Sequence, residues 1–163
     1  MKTTNHKPLP DRRKVKRFLK ESNAIEGEHS EKALVDSLAT WDFLMKKDEL
    51  TQEDIFEAHR ILMHNFLEAE YVGKFRTVNV RVGSRHCPYW WDIPAGFKVW
   101  LENLMTMSPM SSHIAFEGIH PFKDGNGRLG RIIMNWVNVK RGYDILVIKA
   151  AQRDKYYEWF SYL

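Results

Sequence analysis

The chain has 163 residues, 44% hydrophobic and 28% charged, with a net charge of +4. These values fit one soluble globular domain and exclude a disordered or fibrous chain. No apolar run reaches the ~18 residues of a membrane span, the N-terminus lacks an apolar signal core, and the single Cys87 excludes a disulfide framework and favours a reducing, cytoplasmic setting.

In chain order, the first twenty residues carry eight Lys/Arg against one acid, Asp11. Such an arm can bind nucleic acid, but it lacks interleaved aromatics, and a solvated helix start is the plainer reading. From Asp11 to Glu26 the apolar residues Val15, Phe18, Leu19 and Ile25 form a helical stripe. A clearer one runs through Ala33, Leu34, Leu38, Trp41, Leu44 and Met45. Thr51-Gln-Glu-Asp54 reads as a helix N-cap, opening a helix with Ile55, Ala58, Ile61, Leu62 and Phe66. Phe75 to Val82 alternates and is β-branched, which predicts a strand. Pro88 to Pro94 is its expected return strand, with Gly83 to Cys87 in the loop. Pro94 suits a helix start, continued by Phe97, Trp100, Leu101 and Leu104. Ser111 to Ile119 is apolar and helical. After a Gly-rich turn, Leu129, Ile132, Ile133, Trp136 and Val137 mark a helix ending near Gly142. A short apolar run, Ile145 to Ile148, precedes a last helix with Tyr156, Tyr157 and Phe160. The fold class is mainly α with one small hairpin.

The chemistry gathers between two helical patterns, in His120-Pro-Phe-Lys-Asp-Gly-Asn-Gly-Arg128. Successive main-chain N–H groups in a glycine turn, followed by a helix N-terminus, cradle an anion. Arg128 and Arg131 are three apart and share the face of the first helical turn. Two guanidinium forks together suit a polyphosphate. Asp124 offers a carboxylate for Mg2+, which binds through one or two carboxylates plus substrate phosphates. His120 can act as a general base near neutral pH. Taken singly, each residue has a plainer structural reading; their concurrence within twelve residues is what points to a site.

His-Pro-Phe-x-Asp-Gly-Asn-Gly-Arg-x-x-Arg, complete from His120 to Arg131, resembles the signature of Fic-domain (Fic/Doc) proteins. Gly73-Lys-Phe-Arg76 followed by Val78-Asn-Val resembles that family's approach to a β-hairpin flap, and Phe116 to Ile119, Asn135 and Gly142-Tyr143 resemble the helices around the motif. The likeness covers roughly residues 20 to 160. It implies a Fic-type helical bundle with a small hairpin flap beside the active site. It also implies transfer of AMP from ATP to a hydroxyl of a protein Ser, Thr or Tyr, releasing pyrophosphate. His120 would take the hydroxyl proton, and Asp124 would hold Mg2+. Gly125, Asn126 and Gly127 would hold phosphates, with Arg128 and Arg131 steadying them and Asn135 on the adenosine side. The family's kinase-like Doc branch carries Lys at the position of Gly127, so Gly127 favours AMP transfer. The flap residues Thr77, Val78, Asn79, Val80, Arg81 and Val82 would dock the target as an added strand.

Ser22-Asn-Ala-Ile-Glu26-Gly27 is similar to the family's inhibitory pattern in the class whose inhibitory helix is N-terminal. That likeness implies that Glu26 pairs with Arg131 and blocks seating of the nucleotide's γ-phosphate. The expected organisation is a tail over residues 1–10 and one domain over 11–163, with the inhibitory helix around 12–27. Expected partners are ATP and a protein target, without membrane; nucleic acid is disfavoured. The same residues also serve removal of AMP or transfer of other phosphate-linked groups. A regulator using the basic arm is the reading from another class.

Overall fold

The computed structural model describes residues 8–163. Lys2 and Lys7 of the basic arm, and most of the tail expected over 1–10, lie outside the described residues. The helices α1 (Arg12–Ile25), α2 (Glu31–Met45) and α3 (Gln52–Met63) come first. A hairpin of β1 (Arg81–Val82) and β2 (Arg85–His86) follows, then α4 (Ile93–Glu102), α5 (Pro109–Ile119), α6 (Asn126–Lys140) and α7 (Arg153–Tyr157). α2 packs chiefly on α3, and α5 on α6.

Local chemistry explains the helix ends. Thr51 and Asp54 form a reciprocal capping box at α3, worth about 1 kcal/mol. Ser30 and Ser108 cap α2 and α5 with their side chains. α1 stops in a Schellman turn: Gly27 N–H donates to Ala24 O and Glu28 N–H to Asn23 O, both at 3.0 Å. Gly27 takes φ +72°, and a Cβ there would meet nothing within 4 Å. Conformation rather than space therefore requires glycine, and the turn leaves Glu26 at the helix cap.

The stripes read from the sequence meet in one core. Val15, Phe18, Leu44, Ile55, Leu62, Phe97, Phe116, Phe122, Ile133 and Trp136 all belong to it. Each such side chain contributes about 1.5–3 kcal/mol on burial. Trp136 also donates its indole N–H to Leu44 O at 2.9 Å, tying α6 to the end of α2.

The hairpin differs from its expectation. Only Arg81–Val82 and Arg85–His86 pair, so the turn is Gly83-Ser84, with Gly83 at φ +60°. Residues 75–80 form no strand, and Trp90–Asp92 in the expected return strand is a 3-10 turn. The cause is Arg76. Its buried guanidinium draws in Val78 O at 2.8 Å and Pro88 O at 2.7 Å, carbonyls a ladder would otherwise use, and Pro88 has no N–H to pair. The docking edge expected over Thr77 to Val82 thus shrinks to the stretch around Arg81. On α1, Arg12 pairs with Asp42 at 2.5 Å and Lys14 with Asp144. Part of the basic arm is therefore neutralised within the fold.

Candidate active site

α5 ends at His120, whose φ of 50° and ψ of 62° make it the one non-glycine residue with positive φ among the described residues. This left-handed conformation is costly for an L side chain. Arg76 holds it in place. Nε donates to His120 O at 2.8 Å, and the Arg76 main-chain N–H donates to Pro121 O at 2.9 Å. Facing His120 Nδ1, at 3.5 Å, lies Glu117 Oε2, an ion-pair contact too long for a full hydrogen bond. Burial alone would push the Glu117 carboxyl up. The facing His120 imidazole, with the field of Arg131, outweighs that and holds it below the usual glutamate range. An ionised carboxylate at Nδ1 leaves Nε2 as the nitrogen that can accept a proton.

The turn after His120 is fastened by Asn126. Its Oδ1 accepts the Phe122 N–H at 2.9 Å and its Nδ2 donates to Phe122 O at 2.8 Å. The Asn126 side chain therefore shapes the cradle, and only its main chain is free to serve an anion. Gly125 takes φ +81° at the start of α6, and a Cβ there would lie 2.6 Å from Met63 Sδ. His59 props the turn from below. Gly73 N–H donates to His59 Nδ1 at 2.8 Å, so the ring hydrogen sits on Nε2 and donates to Asp124 O at 2.9 Å. Burial pushes His59 down to about 4, which keeps this tautomer neutral. Asp124 Oδ1 accepts the Gly125 N–H at 2.7 Å, and its exposed side chain reaches the cavity.

The two motif arginines have different surroundings. Arg128 is 6% exposed, yet its Nε and Nη1 lack any hydrogen-bond partner among the described residues. Its Nη2 touches Met63 Sδ at 3.1 Å, and the guanidinium lies over Phe66. Arg131, 1% exposed, is fully engaged. Its Nε donates to Ser22 Oγ at 2.8 Å, Nη1 to Tyr156 Oη at 2.9 Å, and Nη2 to Ser22 O at 2.9 Å and Glu26 Oε1 at 2.7 Å. Having accepted from Arg131, Tyr156 can donate its own hydrogen to His113 Nε2, 2.8 Å away. Burial pushes His113 down to about 4, consistent with an accepting neutral ring. Glu26 rests on Gly127: a Cβ there would fall 2.4 Å from Glu26 Oε1.

His120, Asp124, Gly125, Gly127, Arg128, Arg131 and Glu26 border one cavity of about 1000 Å³. Arg81 and Arg85 of the hairpin form part of its wall. Asn135 does not join them. It is fully buried, with Nδ2 donating to Leu146 O at 2.9 Å and Oδ1 accepting Leu146 N–H at 2.8 Å. It anchors the segment after α6 instead of facing a nucleotide. Among the described residues no group of three or more His, Cys, Asp or Glu is placed to hold a metal. Asp124 as a lone carboxylate fits Mg2+, which completes its shell with phosphate oxygens and water.

Sequence reasoning missed His59, Glu117, the Arg76 clamp and the Tyr156–His113 pair. His59 carried a faint signal: a polar residue between Ala58 and Leu62 on an apolar stripe. Glu117 falls three before His120, on the same helix face. Arg76 is marked only as part of the Gly73-Lys-Phe-Arg76 resemblance, not as a clamp, and nothing local marks Tyr156, because their partners at His120, Pro121 and Arg131 lie far along the chain.

Comparisons with known proteins agree with the motif. A family model described as the Fic/DOC family matches residues 49–137. The Protein adenylyltransferase Fic of Drosophila erecta is 36% identical over 127 residues, 72% of this chain and 26% of that protein. Its counterpart in Culex quinquefasciatus is 34% identical over 125 residues, 71% of this chain and 25% of that protein. The chain thus spans about a quarter of the length of these curated relatives. Among solved structures, Fic-1 (residues 134–508) of C. elegans superposes with a TM-score of 0.78 at 20% identity, covering 94% of this chain and 58% of that one. A Fic domain containing signaling protein from Bacteroides thetaiotaomicron gives a TM-score of 0.74 at 19% identity, covering 90% and 70%. The structures share the fold.

Proposed function

The chain belongs to the Fic/DOC family, and from that premise we propose that it transfers AMP from ATP to a hydroxyl side chain of a target protein, or of itself, releasing pyrophosphate. The observation that carries the proposal is Arg128. A buried guanidinium with Nε and Nη1 unpartnered, beside a glycine cradle at the start of α6, is a strong site for phosphate oxygens. Glu28 lends it a neighbouring negative charge, but two buried guanidinium nitrogens without hydrogen bonds are otherwise unfavourable.

In this reading His120 Nε2 takes the proton of the acceptor hydroxyl, and Glu117 steadies the imidazolium that forms. The hydroxyl oxygen bonds to the α-phosphorus as the bond to the pyrophosphate oxygen breaks. Arg128 and the N–H groups of the cradle hold the charge that builds on the leaving phosphates. Mg2+, held by Asp124, would supply further charge neutralisation between phosphates when bound. The other residues act by positioning: Arg76 holds the strained His120 main chain, and His59 and Asn126 fix the turn.

Glu26 acts as the brake. Its carboxylate takes one edge of the Arg131 fork, at the mouth of the cradle, where a nucleotide phosphate would compete for the same donors. Its reach to Arg131, 105 residues away, supports this role. The pair is part exposed on the Glu26 side, so its strength is on the order of 1 kcal/mol, enough to bias occupancy yet open to displacement.

The test is incubation with Mg2+ and ATP labelled at the α or the γ position, comparing wild type, Glu26→Gly and His120→Ala. Protein-bound label from the α position alone, stronger in Glu26→Gly and absent in His120→Ala, is the expected result. Label from the γ position would identify a kinase and overturn the proposal. Among the described residues no helix is long and apolar enough to cross a membrane. The buried free Cys87 thiol agrees with a reducing compartment such as the cytoplasm.

A further inference from the structure

We infer that the hairpin selects its target by charge: the acceptor hydroxyl lies in an extended segment carrying acidic side chains beside it and an apolar residue farther along. This rests on the AMP-transfer reading and names the class of target it uses.

The first observation is electrostatic. Residues 74–91 hold Lys74, Arg76, Arg81 and Arg85 and not one Asp or Glu. Arg76 is buried and consumed by main-chain carbonyls. Arg81 and Arg85 instead border the His120 cavity. Arg81 Nη2 donates only to Ser84 O, at 3.3 Å. Arg85 donates to Glu117 O at 3.2 Å and Gly118 O at 3.4 Å. Neither has a carboxylate partner among the described residues. Two positive heads thus stand in the wall that an acceptor must pass to reach His120.

The second observation is the free edge of β1. Cys87 N–H donates to Val80 O at 3.2 Å, and the Arg81↔His86 pair comes next in the register. Hydrogen-bonded and non-bonded pairs alternate in an antiparallel ladder, so the Arg81 N–H and C=O point away from β2. They offer an incoming extended chain main-chain pairing at Arg81 itself, next to its exposed head.

The third is an apolar shelf at the other end of that edge. Tyr89, Trp90 and Trp91 are 57%, 41% and 55% exposed, with Tyr89 stacked on Trp91 at 4.7 Å. Trp90 N–H donates to Asn79 Oδ1 at 3.1 Å, which fixes the shelf beside Asn79, two residues before Arg81. At about 3.4 Å per residue, a docked strand would reach it two or three positions from its contact with Arg81. Large aromatics left in water beside a strand edge mark an interaction surface. Arginine and aromatics also suit single-stranded nucleic acid, but the free main-chain edge favours a polypeptide.

The experiment measures binding and transfer separately, on the full chain carrying Glu26→Gly. Dye-labelled peptides with a central Tyr, a Leu three residues away and flanks of Glu, Gln or Lys are titrated by fluorescence anisotropy. AMP incorporated from α-labelled ATP is read on the same peptides. The Glu-flanked peptide should bind about five- to tenfold more tightly than the Lys-flanked one, in keeping with two exposed ion pairs. Arg81→Glu, which forfeits only the bond to Ser84 O, should erase or reverse that order. Equal binding of all three peptides, or an order unchanged in Arg81→Glu, overturns the inference. So does an oligothymidylate that binds more tightly than the Glu-flanked peptide. Charge-selective binding with no AMP incorporated into any peptide or into the protein itself would instead sink the AMP-transfer reading and leave the docking surface standing.

Discussion

Arg128 and Arg131 stand one turn apart on α6, both almost fully buried, and their surroundings are opposites. Arg128 meets a thioether and an aromatic face, with two of its nitrogens unpartnered. Arg131 meets Ser22, Tyr156 and Glu26 with every nitrogen engaged. One guanidinium is arranged for a ligand; the other is already answered by the protein. A fold can leave buried guanidinium nitrogens without hydrogen bonds only if other packing carries the cost, so the open fork fits the proposed phosphate site. The filled fork is where the proposed brake would act without dismantling that site.

The difference is broken most severely at Arg128. Arg128→Ala should lower AMP transfer by about a hundred- to a thousandfold, the range for losing a principal charge-stabilising group. Its thermal stability should stay level or rise, because a buried guanidinium with two nitrogens lacking hydrogen bonds is removed. Initial rates with labelled ATP and a denaturation curve on the same protein check both. A large loss of stability would show that Arg128 is structural.

Acid should reach both sides of the comparison through their histidines. His59 supports the Asp124 turn near Arg128, and His113 supports Tyr156 beside Arg131; burial pushes each down to about 4. Both folded values lie below the ordinary 6.5. The unfolded chain therefore takes up protons that the folded chain refuses. Stability is intact above about pH 6.5, falls as pH drops, and has lost the whole contribution below about pH 4. At pH 5 the loss should be about 2 kcal/mol per histidine. Urea titrations at pH 7 and pH 5 read it, and His59→Gln should remove about half of the difference. A flat response between the two pH values would mean the rings are not held neutral.

The Arg128 side was largely legible in the sequence, and the reason is contiguity. His120, Asp124, the glycines and Arg128 lie in nine consecutive residues, so their joint chemistry shows without a fold. The helices were legible too, since their apolar stripes repeat at the helical period and Thr51 and Asp54 signal their own cap. What depends on distant partners was not. The strand expected over 75–82 failed because alternation cannot reveal that Arg76 claims the carbonyls of Val78 and Pro88. Asn135 looked like a nucleotide contact until Leu146, eleven residues on, engaged both ends of its amide. Glu26 opposite Arg131 came from resemblance to a family pattern, since no spacing links residues 105 apart.

The filled fork can be emptied. Glu26→Gly should raise AMP transfer and tighten ATP binding on the order of tenfold, the worth of one part-exposed charge-assisted contact. Because Ser22 and Tyr156 still hold Arg131, its side chain should keep its place, and the fold should lose about 1 kcal/mol, the worth of the part-exposed pair. Calorimetric ATP titration of both proteins measures the binding arm. Equal affinities would mean that Glu26 does not compete with the nucleotide.

The smallest effect is the sharpest test of how Glu26 is seated. A Cβ on Gly127 would fall 2.4 Å from Glu26 Oε1, but 3.0 Å from Arg131 Nη1. The first distance cannot be tolerated, and the second asks for a shift of a few tenths of an ångström. Gly127→Ala should therefore push the carboxylate off the fork while leaving Arg131 almost undisturbed. In the presence of Glu26 the substitution should cost about 1 kcal/mol of stability, offset in part by the helix preference of alanine over glycine. In the Glu26→Gly background the clash partner is gone, and the same substitution should be neutral or stabilising. Denaturant titration of the four proteins gives the coupling directly, about 1 kcal/mol between residues 26 and 127. Additive effects would mean that the carboxylate does not rest on Gly127, and the difference between the two arginines would then owe nothing to the bare main chain at the head of α6.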